Sequence, residues 1–153
     1  MLIRWLFATA HLLGLGVGLG AVWARARALR GPLDPEGLRR VFYADGWWGA
    51  AAGIWIATGL VRVIGGLEKS MDYYLQNHVF WGKMTLLLAI LALEVSPMVT
   101  LIRWRTQLRR GQTPDTRLAG RFATISYLQA VLVLLMVMAA TAMARGIGVM
   151  PRG

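Results

Sequence analysis

The chain has 153 residues, 57% of them hydrophobic and 16% charged, with 17 Lys and Arg against 7 Asp and Glu. An ordinary soluble domain carries about 25% charged residues, so this composition excludes a water-solvated globule; the absence of cysteine excludes disulfides and thiolate-bound metal or iron–sulfur sites. The net charge of +10 does not point to nucleic acid, because the arginines flank long apolar runs instead of forming one solvated basic face.

A hydrocarbon core about 30 Å thick takes roughly 20 apolar residues of helix. Segments of that length predict an all-α integral membrane protein, a four-transmembrane-helix bundle in a single domain over 1–153. The spans are continuously apolar and lack the alternation of a membrane β-barrel. The first is predicted over about 2–24. Arg4 before an apolar stretch looks like a signal peptide, but the run from Trp5 to Trp23 is longer than an ordinary signal core and no small-residue cleavage site follows. It reads as a retained span.

Within that span His11 sits roughly 12 Å below the boundary, at 1.5 Å per residue. Gly14 and Gly18 share its face over the next turns, and Gly16 and Gly20 form a second small-residue pair. Such positions let helix backbones approach or let a flat ligand lie against one. The first connection holds Gly31-Pro32 and Asp34-Pro35-Glu36, a sequence that predicts a short helix capped by Asp34 with Pro35 at its first position. The second span is predicted over about 45–64, with Gly49 and Gly53 as another small pair, and the connection after it is broken by Gly65-Gly66.

The third span is predicted over about 79–104 and carries Lys83 and Glu94, eleven residues apart and therefore on one stripe at 3.6 residues per turn. A lysine near the boundary snorkels to the headgroups. Glu94 lies deeper, and must be protonated, paired with an arginine or bound to something. Pro97, one turn later, removes a backbone hydrogen bond and predicts a bend with a freed carbonyl at residue 93. The third connection holds Gly111 and Pro114, and the fourth span is predicted over about 122–144.

Orientation follows from where Lys and Arg fall. The first connection is credited with Arg25, Arg27, Arg30, Arg39 and Arg40, and the third with Arg103, Arg105, Arg109, Arg110, Arg117 and Arg121. The opposite side has Arg4, Arg62, Lys69, Lys83, Arg145 and Arg152, with Glu68 and Asp72. The first and third connections are thus expected in the cytoplasm of a bacterium, both termini on the outer side, and the chain in the inner membrane.

An ionisable side chain inside a span costs a few kcal/mol on insertion scales, which makes it a functional candidate. His11 flanked by glycines offers a nitrogen for iron and room for a macrocycle, as an axial haem ligand requires; the alternative is a buried histidine bonded to a neighbouring helix. Arg62, Lys83 and Arg145 share one depth and predict a cationic rim for propionates or lipid phosphates, or simple snorkelling. His78 lies a turn or two above His11, and Met136 and Met138 come nearer its depth, where they serve as sulfur ligands or as packing. Trp47, Trp48, Trp81 and Trp104 fall near span ends, as an aromatic belt does. No nucleotide-binding, zinc-protease or triad motif is present.

His11-Leu-Leu-Gly-Leu, Leu-Asp-Pro-Glu-Gly-Leu-Arg-Arg at 33–40, Ala57-Thr-Gly-Leu-Val-Arg62, Phe80-Trp-Gly-Lys83 and Ala144-Arg-Gly-Ile-Gly148 together resemble a bacterial family of four-helix predicted membrane proteins without an assigned function. More distantly the layout is similar to HemJ-type protoporphyrinogen oxidases and CopD-like copper-resistance membrane proteins. HemJ-like chains carry a histidine early in the first span, an arginine at its inner end and a lysine opening the third, places matched by His11, Arg27 and Lys83. That resemblance implies b-type haem and the six-electron oxidation of protoporphyrinogen. Glu94 stands where such chains tend to carry a second histidine.

The leading expectation is therefore an inner-membrane protein binding haem b or a porphyrin. His11 is the axial ligand, Gly14 and Gly18 make room, Arg62, Lys83 and Arg145 hold propionates, and Glu94 and Lys83 are the candidates for a chemical step. The alternative is a non-catalytic accessory or assembly subunit that packs through its glycine-rich helices in a homo-oligomer or larger membrane complex. Copper handling by His11 and the methionines of the fourth span ranks below both, since no dense Met or His cluster exists. Conduction through a Glu–Lys pair ranks last.

Overall fold

The structure, a computed structural model, describes residues 1–65 and 71–147. Gly66, Glu68 and Lys69 of the second connection, and Gly148 and Arg152 near the C-terminus, lie outside the described residues. The elements are α1 (Leu2–Arg30), α2 (Pro35–Ile64), α3 (Met71–Leu75), α4 (His78–Arg109) and α5 (Ala119–Ala144). α1, α2, α4 and α5 are long and apolar enough to cross a membrane, and no strand occurs among the described residues.

The long helices overrun the predicted spans, each chiefly at one end, α5 by three residues. Hydropathy measures the stretch that lipid tails can solvate. The backbone stays helical beyond it, through Arg25, Arg27 and Arg30 of α1 and through Arg105 and Arg109 of α4. Thirty residues rise about 45 Å, against a hydrocarbon core of about 30 Å, so the surplus turns carry the exposed Arg27, Arg30 and Arg109 toward the headgroup zone.

The separate short helix expected at Asp34 is instead the first turn of α2, which runs unbroken for 30 residues. Its start obeys the predicted chemistry. Asp34 accepts from the Gly37 amide at 2.7 Å, and Pro35 occupies the first turn, where no amide is needed. Nothing between Arg40 and Trp47 breaks a helix, so the turn simply continues. Gly37 is demanded by space, because a Cβ there would lie 1.8 Å from the Pro32 carbonyl oxygen. Asp34→Ala is expected to cost about 1 kcal/mol, read as a lower melting temperature of purified protein; an unchanged melt would contradict the cap. Asn77 opens α4 in the same way, accepting from Val79 N at 2.9 Å. α4 then passes through Pro97, which is buried, without leaving the helix.

Cross-helix contacts fix the directions. His11 meets Thr58 and Arg25 meets Asp45, so α1 and α2 are antiparallel; Glu94 meets Gln129 and Trp104 meets Phe122, so α4 and α5 are too. α1 packs on α2 and on α5, and α5 on α4, whereas the α2 and α4 backbones scarcely approach each other. Around the bundle the order is α2, α1, α5, α4, with a gap between the first and last. The starts of α1 and α4 and the ends of α2 and α5 share one end, the rim end; the other is the arginine-rich end.

Two apolar clusters fill the bundle. One, near the arginine-rich end, joins Leu29, Leu38, Val41, Leu101, Trp104 and Phe122, and so closes α2 onto α4 there. The other, at mid-height, joins Val22, Trp48, Ile90, Val133 and Met136. Leu12, Val17, Ile54, Leu88, Val95, Leu128 and Leu134 point outward and are exposed, as side chains solvated by lipid tails are.

Candidate site in the cleft between α2 and α4

Between the two apolar clusters the bundle holds a cluster of charges built on one side chain. Arg25 is fully buried, and each of its five N–H groups has an acceptor. Nε donates to Ser126 Oγ at 3.0 Å; one terminal nitrogen donates to Asp45 and Glu94, both at 2.8 Å; the other donates to Glu94 and Gln129, both at 2.8 Å. A single α1 residue is thereby bonded to α2, α4 and α5. Its fork grips both oxygens of Glu94 in the bidentate geometry that guanidinium suits and an ammonium does not.

The carboxylates are satisfied in turn. Glu94 also accepts from Trp48 Nε1 at 3.0 Å and Gln129 Nε2 at 2.8 Å. Asp45 accepts on its second oxygen from Arg105 at 2.7 Å, and Arg105 reaches the Phe42 carbonyl at 3.1 Å. The four side chains carry two positive and two negative charges, so the cluster is neutral as a unit. Isolated burial of any one would cost several kcal/mol.

Of the fates open to Glu94, the structure selects pairing with an arginine. That arginine is Arg25, which hydropathy assigns to the first connection and which instead lies inside α1. The signal was present: His11, Gly14, Gly18, Ala21 and Arg25 recur at helical spacing on the face of α1 that turns inward. Asp45 was legible only as the edge of a span. Arg27, the position matched to the HemJ-like arginine, is exposed.

Between α2 and α4, above this cluster, lies a cleft backed by α1 and α5. It has two chambers that share Trp55, Ile56 and Leu87. The floor chamber, about 160 Å³, is lined by Gly18, Asp45, Trp48, Ala52, Ile90 and Glu94 among others. The rim chamber, about 250 Å³, is lined by His11, Gly59, Arg62, Lys83, Met84 and Met136 among others. Together they reach the roughly 300–1,000 Å³ of ordinary small-molecule sites. Tyr74 of α3 and Phe80 of α4, with ring centroids 5.4 Å apart, line the rim end.

The stripe read from Lys83 to Glu94 is the α4 wall of this cleft, with Lys83 in the rim chamber and Glu94 in the floor. Gly14 and Gly18 line the floor chamber and also lie against α2. A Cβ on Gly14 would lie 3.3 Å from the Ala51 carbonyl oxygen, and one on Gly18 3.5 Å from the Trp48 ring. Arg145 caps α5 at the rim end, exposed and outside the chamber lining. His78 is exposed at the first residue of α4. Met136 is buried and lines the rim chamber with His11, whereas Met138 is exposed.

His11 is held from α2. Its Nδ1 lies 3.0 Å from the Trp55 carbonyl oxygen and 3.0 Å from Thr58 Oγ1. The Thr58 hydroxyl donates to the Ile54 carbonyl at 2.7 Å. A carbonyl only accepts, so Nδ1 carries the proton, and in the neutral ring the lone pair is on Nε2. The imidazole stacks on Trp55 with centroids 5.4 Å apart. Gly59 leaves room for it, since a Cβ there would meet His11 Cε1 at 3.1 Å. Among the described residues no three His, Asp or Glu side chains gather as ligands for a bare metal ion.

A family model described as "Predicted membrane protein (DUF2214)" matches residues 3–148. No curated protein and no solved structure matches the chain, so the likeness to HemJ-type and CopD-like proteins stands on the sequence positions alone.

Proposed function

We propose that this chain, which belongs to the DUF2214 family of predicted membrane proteins, holds b-type haem or a related porphyrin in the cleft between α2 and α4, where His11 would hold the iron. The observation that carries the reading is the contact of His11 Nδ1 with the Trp55 carbonyl oxygen at 3.0 Å. A ligating imidazole ordinarily donates its second nitrogen to a backbone carbonyl or carboxylate, which fixes the ring and raises the basicity of the other nitrogen. Nδ1 of His11 has that bond to Trp55, on the wall of a chamber that also contains Arg62 and Lys83.

The donor set fits such a group. Apolar walls suit a macrocycle, and two cationic side chains at the rim suit its carboxylates. Haem would supply a one-electron centre inside the hydrocarbon layer. The protein's own part is to fix His11 through Trp55 and Thr58, to hold anionic groups at Arg62 and Lys83 with Arg145 at the same end, and to keep water from the cleft. Glu94 and Asp45 form the base of the cleft and stay committed to arginine. The arginine-rich end is assigned to the cytoplasmic face of a bacterial inner membrane, because Lys and Arg concentrate there.

A second reading, a non-catalytic accessory subunit, draws on glycines that face open space: Gly16 and Gly20 on α1 and Gly53 on α2. Absorption spectra of detergent-purified protein, oxidised and reduced, separate the two. The haem reading expects a Soret band with reduced-state α and β bands; a colourless protein that leaves the membrane in a stable complex would favour the accessory role.

A further inference from the structure

We propose that the groove between the last turns of α1 and the first turns of α2 binds the headgroup of an anionic phospholipid, independently of any tetrapyrrole. The groove holds about 580 Å³ at the arginine-rich end of the bundle. It stays open because small residues of α1, Ala24, Ala28 and Gly31, line much of it. Three arginines line it as well, Arg27 from α1 and Arg39 and Arg40 from α2, and all three are exposed. Guanidinium groups brought together from two helices can each offer paired donors to one phosphate.

Charge decides which headgroup fits. No carboxylate is among the described residues that line the groove. Glu36 is shared between Arg39 and Arg40, and Asp34 is bonded to the Gly37 amide. Arg27 joins no ion pair among the described residues. Counted with both carboxylates, the three guanidiniums keep one positive charge in excess, the complement of one lipid phosphodiester. A zwitterionic headgroup fits worse, because its ammonium would face arginines with no open carboxylate. Depth favours a lipid over a soluble anion. From Gly31 inward to Ala24 the groove follows about 10 Å of helix, from the connection into the span. Tyr43 lines it and meets Trp47 edge-on, with ring centroids 6.4 Å apart; both are exposed, as aromatic residues of the membrane interface are. Gly20, one turn further along the same face of α1, has nothing within 4 Å of its would-be Cβ. An acyl chain descending from the headgroup thus meets a smooth helix.

The test is native mass spectrometry of delipidated, detergent-purified full chain offered equal amounts of phosphatidylglycerol and phosphatidylethanolamine with matched acyl chains. The parent is expected to retain one phosphatidylglycerol per chain in preference. Arg27→Gln should lower that retention about fivefold, the worth of one basic side chain beside an anionic lipid. Ala24→Trp should abolish it by filling the inner end of the groove. Arg30→Gln removes the same charge from the same helix end, but Arg30 lies over the Tyr127 ring of α5. That variant should retain the lipid as the parent does, and so should His11→Ala, which separates this site from the haem reading. Equal retention of the two lipids by the parent, undiminished retention in folded Arg27→Gln or Ala24→Trp protein, or equal losses in Arg27→Gln and Arg30→Gln would each overturn the proposal. Displacement of phosphatidylglycerol by inorganic phosphate would overturn it too, by marking a soluble anion as the occupant.

Discussion

Arg25→Ala is expected to remove about 3–5 kcal/mol from the folded bundle, the cost typical of breaking a buried ion pair from one side. Asp45 would keep Arg105, but Glu94 would be left with only the neutral donors Trp48 and Gln129 around a buried carboxylate. Ser126 and the Gln129 carbonyl would lose their donor as well. Arg25→Lys should recover little. An ammonium has no planar fork, and one nitrogen cannot hold both Glu94 oxygens while serving α2 and α5. The loss should be largely reversed by Arg25→Met combined with Glu94→Met, because apolar replacement of a whole buried pair is often neutral. Thermal melts of the detergent-solubilised variants decide this. An Arg25→Ala protein that melts with the parent, or a double variant that melts below the single one, would show that the cluster does not join the helices.

Gly14→Leu should cost about 1–3 kcal/mol and displace His11 from Trp55, whereas Gly16→Leu should not. At Gly14 the first added carbon already meets the Ala51 carbonyl and the Trp55 backbone at 3.3 Å. Backbone atoms cannot swing aside, so α1 and α2 must separate. The His11 to Trp55 bond, which spans the same interface one turn away, would lengthen with them. Gly16 has nothing within 4 Å of its would-be Cβ. There a leucine meets lipid and gains the better helix propensity, about 0.8 kcal/mol relative to glycine. Melting temperature reports the first difference, and near-ultraviolet circular dichroism of the tryptophans reports the second. Equal effects at the two positions would contradict the assignment of Gly14 to the helix interface.

How much of this was legible in the sequence depends on which physical signal each feature leaves. The spans are visible because lipid selects uninterrupted apolar length, and the capping of α2 is visible because Asp34-Pro35 is local chemistry. The arginine-bearing ends of the helices were hidden, since hydropathy falls where the headgroups begin although the helix does not stop. Arg25 was hidden for the same reason: it lies beyond the apolar run, yet the inward stripe of α1 continues through it. The common face of Lys83 and Glu94 follows from spacing alone, and both do line the cleft. The cleft itself leaves no periodic trace, because the separation of α2 from α4 is a property of the assembled bundle. What stands opposite Gly14 and Gly18 is not legible in the sequence; in the fold Ala51, Trp55 and Trp48 face them across α2, and both glycines also line the floor chamber.

Haem titration into purified, ligand-free protein tests most directly whether His11 is built to hold iron. One haem should bind per chain with a shifted Soret band, equally in the parent and in His78→Ala, and His11→Ala should lose the shifted band while melting as a folded protein. A His11→Ala variant that takes up haem with the parent's spectrum and stoichiometry would contradict the assignment.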